Sequence, residues 1–403
     1  MDVNEAASRT VFTRFRVTWA TYGLVGYFAY LETVLGPLMP FLRAEQGLSY
    51  TVASLHFSAF AMGGVLVGLI GERVEGRWGR TTTLWGGAAG MAAGALLLTL
   101  APAAAGTISG TFVMGFFGSL LLITTQAVLS DRHGTGSVVA ITESNVAASA
   151  CAILASLAVG FFAASGLGWR SAFVPPMAAL VLLVANFRRE PLEGTRREES
   201  ARRATSSGLP RRFWIYWGVL VLGVSVEWCI AYWGADFLEN AVGLGRSGAA
   251  AALTTFFVAM LAGRITGSRL ARALPGATLL AGSLVLALTG FPLLWLAAGP
   301  VGGLLGLSLT GLGVGSVYPL GISVAVSSAP GRLETATARL ALGTAGAILV
   351  APFVLGALAD LAGITGAFGI VLPLLLIAVA LTLAGHRAPM THKRQADRLP
   401  SDR

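Results

Sequence analysis

Twelve apolar stretches follow one another along this chain, each long enough to cross about 30 Å of hydrocarbon. They lie at about 17–42, 49–70, 82–101, 105–128, 137–162, 169–187, 213–238, 247–270, 276–298, 302–327, 335–359 and 366–386. Stretches of that length predict helices, and the fold class is an all-α integral membrane protein. Glycine and proline punctuate many of them. A bundle tolerates this, because neighbouring helices satisfy the backbone groups that a break sets free. Of the 403 residues 55% are hydrophobic and 12% charged, against about a quarter charged in a soluble globular chain.

The basic residues orient the bundle. Twelve spans leave both ends of the chain and the even-numbered loops on one side. That side collects 25 of the 28 lysines and arginines, and the other holds only Arg43, Arg170 and Arg246. Such asymmetry predicts cytoplasmic termini and a multi-pass protein of the cytoplasmic (inner) membrane. It also accounts for the high isoelectric point without a nucleic-acid partner. The opening stretch, MDVNEAASRTVFTRFRV, carries acids and runs into a full span, unlike a cleaved signal peptide. Cys151 and Cys229 sit in different spans, so neither a disulfide framework nor metal-ligand spacing is expected. His56 is the intramembrane histidine, expected as a packed polar core residue. The sequence implies no cofactor or metal, and a GxxxxGK[ST] nucleotide loop is missing.

The single long charged break, RREPLEGTRREESARRATSSGLPRR at 188–212, divides the spans six and six. The expected organisation is a cytoplasmic N-terminal segment (1–16), a six-helix bundle (17–187), a cytoplasmic linker (188–212), a second six-helix bundle (213–386) and a cytoplasmic tail (387–403). The halves resemble one another at an offset near 195: FL at 41–42 matches FL at 237–238, and Ile153-Leu154 matches Ile348-Leu349. Gly71 and Gly263 are expected to open corresponding loops. Glycines at four-residue spacing, such as Gly64/Gly68, Gly86/Gly90/Gly94, Gly263/Gly267 and Gly311/Gly315, suit close helix packing.

Two carboxylates stand at matching mid-span places, Glu32 in the first span and Glu227 in the seventh. A carboxylate at mid-bilayer costs several kcal/mol unless it is paired, protonated or wet. Paired positions in an internal repeat point to a transporter core. Both are candidates for proton coupling, and so is Glu143 in the fifth span. Thr142, Asn145, Ser149 and Ser156 form a polar stripe there from which Glu143 points away. The sequence leaves open which of the two faces a cavity. Arg339, in the eleventh span, is suited either to an anionic substrate or to pairing with an acid.

The loop after the second span reads GERVEGRWGR, Gly71 to Arg80. It resembles the signature loop of the major facilitator superfamily, in which Gly, three residues, Asp and three further residues lead to Gly-Arg. Gly71, Gly79 and Arg80 match, and Glu75 stands in place of the Asp. A second copy, GRITGSRLAR, keeps Gly263 and Arg272, with Gly267 at the acidic place. With the twelve spans, the basic loops, the linker and GWRSAF at the sixth span, the resemblance covers about 17–386. It implies two pseudo-symmetric six-helix bundles that alternate access around a central cavity, in a carrier that is often monomeric. It also implies a gating role for Gly71, Glu75, Gly79 and Arg80. The first span, with Glu32 before Gly36-Pro37, is similar to proton-coupled fucose-permease-type carriers, whose second acid in the fourth span is replaced here by Thr124, Thr125 and Gln126.

On the spans that line the cavity as the resemblance implies, Tyr27, Tyr30, Trp228, Tyr232 and, in the tenth span, Tyr318 offer aromatic faces with polar tips. Those five, with Gln126, Asn145 and Arg339, are the substrate-binding candidates. Asp236 and Asp360 are expected at an external gate or as caps, and Pro175-Pro176, Pro319 and Pro352 as kinks. The drug-antiporter pattern is missing from AASACAILASLAVGFF. The expectation is therefore proton-coupled symport of a sugar or other small metabolite, ahead of proton-coupled efflux of drug-like or lipid substrates. The partners are a small molecule, protons and the lipid bilayer. A non-transporting receptor is the rival of another class. No nucleophile–base constellation suggests an enzyme.

Overall fold

The computed structural model describes residues 12–190 and 208–387. The N-terminal segment up to 11, the linker from 191 to 207 and the tail from 388 lie outside the described residues. Among the described residues every regular element is a helix. Ten stretches are long and apolar enough to cross a membrane. One of them, Ala104–Ala164, holds two helices, Ala104–His133 and Ser137–Ala164, joined by one 3-10 turn at Gly134–Gly136. The shorter apolar helix Val371–Arg387 follows Leu333–Phe368. This order accommodates the twelve expected spans. Some helices run past their apolar stretch: the second continues to Trp78 and the fourth to His133, because polar residues extend a helix beyond the hydrocarbon.

Prolines decide where the helices break. Pro37 has no amide to offer the Thr33 carbonyl, and the first span is interrupted one residue later, at Val34, between Arg16–Thr33 and Leu35–Gln46. Pro319 does the same to the Gly315 carbonyl, and the tenth span splits into Pro300–Val314 and Val317–Ser327. Pro175 and Pro176 instead occupy the first turn of Val174–Phe187, where a missing amide is harmless, so the kink expected there is a helix start. Pro352 lies inside Leu333–Phe368, whose sharp bend comes later, at Gly363 with φ 72°.

The described chain packs as two compact units. One comprises 12–190 with Cys229–Val258 and Ile348–Phe368, and the other 208–228, Ala259–Ala347 and 369–387. Glycines set the interhelical distance within each. In the first unit a Cβ at Gly115 would come 2.0 Å from the Phe60 carbonyl oxygen, and one at Gly63 would come 2.3 Å from the Phe116 amide. In the second, a Cβ at Gly315 would stand 2.2 Å from the Met260 carbonyl oxygen, and one at Gly263 would stand 2.2 Å from that of Leu312. Backbone therefore touches backbone at both crossings. The equivalent pairs are Phe60 with Met260, Gly63 with Gly263 and Gly115 with Gly315, an offset of 200. Gly263 thus answers to Gly63 in the packing and not to Gly71. Gly68 and Gly86 have no heavy atom within 4 Å of such a Cβ, so the four-residue spacing does not mark contact everywhere.

Candidate functional site

Glu227 stands 16 residues from the start and 13 from the end of Arg211–Asn240, about 20 Å or more of helix from either end. Its charged partner is Arg264, on the helix Thr254–Leu270: Nη2 lies 3.4 Å from Oε1. The close crossing of the eighth and tenth spans places that arginine. With Gly263 and Gly267 against Leu312 and Ser316, and the Ser316 hydroxyl donating to the Gly263 carbonyl at 2.7 Å, Arg264 is held beside the break in the tenth span. Its Nε donates to the Gly315 carbonyl at 3.3 Å, the acceptor that Pro319 sets free. Tyr318, 42% exposed, is within electrostatic reach of both Glu227 and Arg264. The charge count had put Arg264 with the loop arginines. The structure places it well inside the helix, against an intramembrane acid.

Glu32 is half-buried, two residues before the break at Val34 and within electrostatic reach of Tyr232. Tyr232 is buried and stacks on Phe57, with ring centroids 4.1 Å apart and planes within 4°. Trp228, the residue after Glu227, is half-buried.

The three arginines of the arginine-poor side all find carboxylates, each within the first unit. Arg43 Nη1 lies 2.5 Å from Asp236 Oδ1, with side chains 17% and 1% exposed. Arg170 grips both oxygens of Glu45 at 2.8 and 2.6 Å, and Arg246 Nε lies 2.9 and 3.1 Å from those of Glu239. Asp360 accepts the Tyr50 and Thr51 amides, both at 2.8 Å, capping the first turn of the second span. Beneath this layer Trp233 Nε1 donates to the Pro352 carbonyl at 2.8 Å. Gly36 lies so near Ala231 that a Cβ would come 2.1 Å from its carbonyl oxygen. Spans one and two are thereby tied to spans seven and eleven, and this end of the first unit is closed.

At the arginine-rich end, Gly79 turns the chain with φ 79° and Arg80 opens the third span. Arg80 Nε donates to Glu75 at 2.7 Å and Nη1 to Asp131 at 2.5 Å. Asp131 is the member of this cluster that the sequence reading missed. Its signal was available, since it is the only acid between the start of the fourth span and Glu143. Gly71 lies a turn below Glu75, where a Cβ would meet only Val67 and Leu120 side chains. Glu143 is held at the same end: Arg14 donates to its two oxygens at 2.9 and 2.5 Å, and the Tyr22 hydroxyl donates at 2.9 Å. Of the stripe beside it, Thr142 and Asn145 are exposed, Ser149 is half-buried and Ser156 is buried.

The remaining candidates scatter. Tyr27 and Tyr30 are buried and donate to the Ala88 and Ala172 carbonyls at 3.2 and 2.6 Å, which ties the first span to its neighbours. Both also line an apolar groove of about 830 Å³ shared with Cys151, Phe162 and Pro176. Gln126 and Arg339 are exposed, and the Arg339 carbonyl accepts from Trp217 Nε1 at 2.8 Å. His56 is fully buried, with Nε2 2.8 Å from the Thr107 hydroxyl.

The Major Facilitator Superfamily model matches residues 21–333. An uncharacterized MFS-type transporter from Yersinia pestis is 25% identical over 393 residues, covering 94% of this chain and 96% of its own. Among solved structures, a bacterial homolog to the human lysosomal transporter Spinster, in an inward-facing and occupied conformation, is similar with a TM-score of 0.74. It is 14% identical and covers 96% of this chain and 98% of its own. The nucleoside transporter NupG is similar with a TM-score of 0.72 at 14% identity, over 92% of this chain and 98% of its own. A POT family transporter gives 0.70 at 14% identity, over 91% and 94%. At such identities these three share the fold.

Proposed function

The chain belongs to the Major Facilitator Superfamily, and from that premise we propose that it is a proton-coupled carrier importing a small polar solute. On this reading it lies in the cytoplasmic membrane as a monomer, with the arginine-rich side and both termini in the cytoplasm. The six-helix halves 17–187 and 213–386 alternate access around the polar centre.

One observation carries the reading: Glu227 is a mid-span acid set against a cation, Arg264, at 3.4 Å. A carboxylate in such a place is stable when paired and also when protonated, and switching between the two states is what a coupling group must do. Arg43–Asp236 and the Asp360 cap act as the external gate. Arg80, Glu75 and Asp131 act as the cytoplasmic one. Glu143, fastened by Arg14 near the end of its span, is a latch for the first and fifth spans and not a coupling group. Glu32, beside the broken first span, is the second coupling candidate.

The test uses purified full-length protein in proteoliposomes with an imposed inward proton gradient and a panel of radiolabelled sugars, carboxylates, amino acids and nucleosides. A gradient-driven solute is expected to lose its gradient response in Glu227→Gln while still exchanging across the membrane. Unchanged gradient-driven uptake in that variant refutes the assignment of Glu227. The groove of about 830 Å³ favours a second reading, efflux of an apolar compound. Proton-driven extrusion of a lipophilic dye, with no polar solute transported, would establish it.

A further inference from the structure

Resting on the proton-coupled reading of Glu227, we propose that the solute is an organic carboxylate and that Arg264 binds its carboxylate group in exchange for Glu227. Three features of the second unit lead there.

The first is how loosely the pair is made. A guanidinium–carboxylate pair at full strength closes to about 2.7–2.9 Å, often with two parallel bonds. Arg43 with Asp236, Arg80 with its two acids and Arg170 with Glu45 all reach 2.5–2.7 Å. Arg264 Nη2 stands 3.4 Å from Glu227 Oε1. The bond is long enough for a better-placed carboxylate to replace it.

The second is access. The Arg264 side chain is 37% exposed and that of Glu227 15%. A charged edge at this depth is favoured where water reaches it, because hydrocarbon costs a charge several kcal/mol. The exposed Tyr318 borders the same edge and supplies a hydroxyl that can donate to a second oxygen.

The third is fit. The group that Arg264 now holds is itself a carboxylate, so the position already accepts that charge and shape. The Gly315 carbonyl fixes the guanidinium from the other side.

The exchange balances. In the empty carrier, Glu227 carboxylate and Arg264 guanidinium sum to zero. A proton joins a Glu227 oxygen, the carboxyl becomes neutral, and Arg264 takes the solute carboxylate. The loaded site again sums to zero. One proton therefore travels with one monocarboxylate, and the transport step moves no net charge.

The experiment measures melting of the purified full-length protein with matched probes: gluconate with glucose, glycerate with glycerol, and benzoate with benzyl alcohol, at pH 5.5 and pH 8. A ligand of the folded state raises the melting temperature by mass action. At least one carboxylate is expected to give a rise at pH 5.5 that shrinks at pH 8 and exceeds that of its neutral partner. Glu227→Gln keeps the rise at both pH values. Arg264→Gln loses it, and Arg264→Lys, which retains the charge without the planar fork, keeps a weakened one. The same carboxylate, driven into proteoliposomes by a proton gradient, is expected to give no charge movement on a solid-supported membrane.

A neutral solute that stabilises in a pH-dependent, Glu227-dependent way overturns the carboxylate assignment and leaves proton coupling standing. A carboxylate bound equally at both pH values in the unaltered protein overturns proton coupling and leaves Arg264 as the anion site. No rise from any carboxylate, or a full rise in a folded Arg264→Gln, overturns the proposal itself.

Discussion

Replacing Arg43 with alanine is expected to open the arginine-poor end of the first unit. Asp236 is 1% exposed and Arg43 17%, and their contact is 2.5 Å. The Arg43 guanidinium also covers the Tyr50 ring, 3.4 Å from its centroid. Asp236 Oδ2 has no hydrogen-bond partner among the described residues, so the carboxylate depends on Arg43. Removing one member of a buried pair costs about 3–5 kcal/mol, because the remaining charge stays buried without compensation. In an opened arrangement water reaches Asp236 and that penalty disappears. The equilibrium between closed and open should then shift by ~3–5 kcal/mol, on the order of a hundred- to a thousand-fold in population.

The readout is a cysteine at Ser54, which is 0% exposed and faces Gly356 in the sealed layer. Cys151 and Cys229 are replaced by serine, and a membrane-impermeant maleimide is added from the arginine-poor side. The parent should label slowly and Arg43→Ala on the order of a hundredfold faster or more, since labelling follows the open population. Arg43→Leu with Asp236→Leu should label nearly as slowly as the parent, because an apolar pair of suitable size carries no orphaned charge. If folded Arg43→Ala labels at the parental rate, the ion pair does not hold this end shut and the gate assignment fails.

Gly315→Ala should lower stability by about 1–3 kcal/mol, since its Cβ would stand 2.2 Å from the Met260 carbonyl oxygen, whereas Gly86→Ala meets nothing within 4 Å and should leave the melting temperature equal or higher. Arg80→Ala should speed maleimide labelling from the arginine-rich side, because Glu75 and Asp131, each about a fifth exposed, lose their shared cation; Asp131→Asn should have a smaller effect, and equal effects would remove Asp131 from the gate. Pro319→Ala should restore an amide to the Gly315 carbonyl, raising the melting temperature and slowing transport as Arg264 loses an acceptor; transport that is unchanged would show that the freed carbonyl plays no part.

Hydropathy and arginine asymmetry made the helices and their order legible, because a bilayer demands both whatever the side chains do in detail. The mid-depth position of Glu227 was legible for the same reason. The partners were not. Arg264 is six residues from the end of its helix, and a count of basic residues assigns it to the nearest loop. Only the crossing of the eighth and tenth spans turns it towards Glu227. Asp131 was hidden because the signature loop is a local pattern, whereas the Arg80 cluster closes across 51 residues of sequence. Tyr27 and Tyr30 looked like ligand contacts by type, and that their hydroxyls also donate to backbone carbonyls has no signal in the sequence.

The glycine crossing keeps its own register in the repeat, offset by 200, and the reason is physical. A glycine whose missing Cβ leaves room for a carbonyl cannot move by one residue without a clash, and Gly115 against Phe60 and Gly315 against Met260 keep one register. In that register Arg264 answers to Gly64. The two halves thus share a crossing built from glycine, and only the second places a guanidinium beside it, at the carbonyl that Pro319 frees and within reach of Glu227. The asymmetry of the chain lies where a symmetric scaffold would otherwise leave two equivalent, uncharged crossings. That is why a search for matched residues finds the glutamates and misses the arginine: in the register of the crossing, Arg264 has only Gly64 as its counterpart.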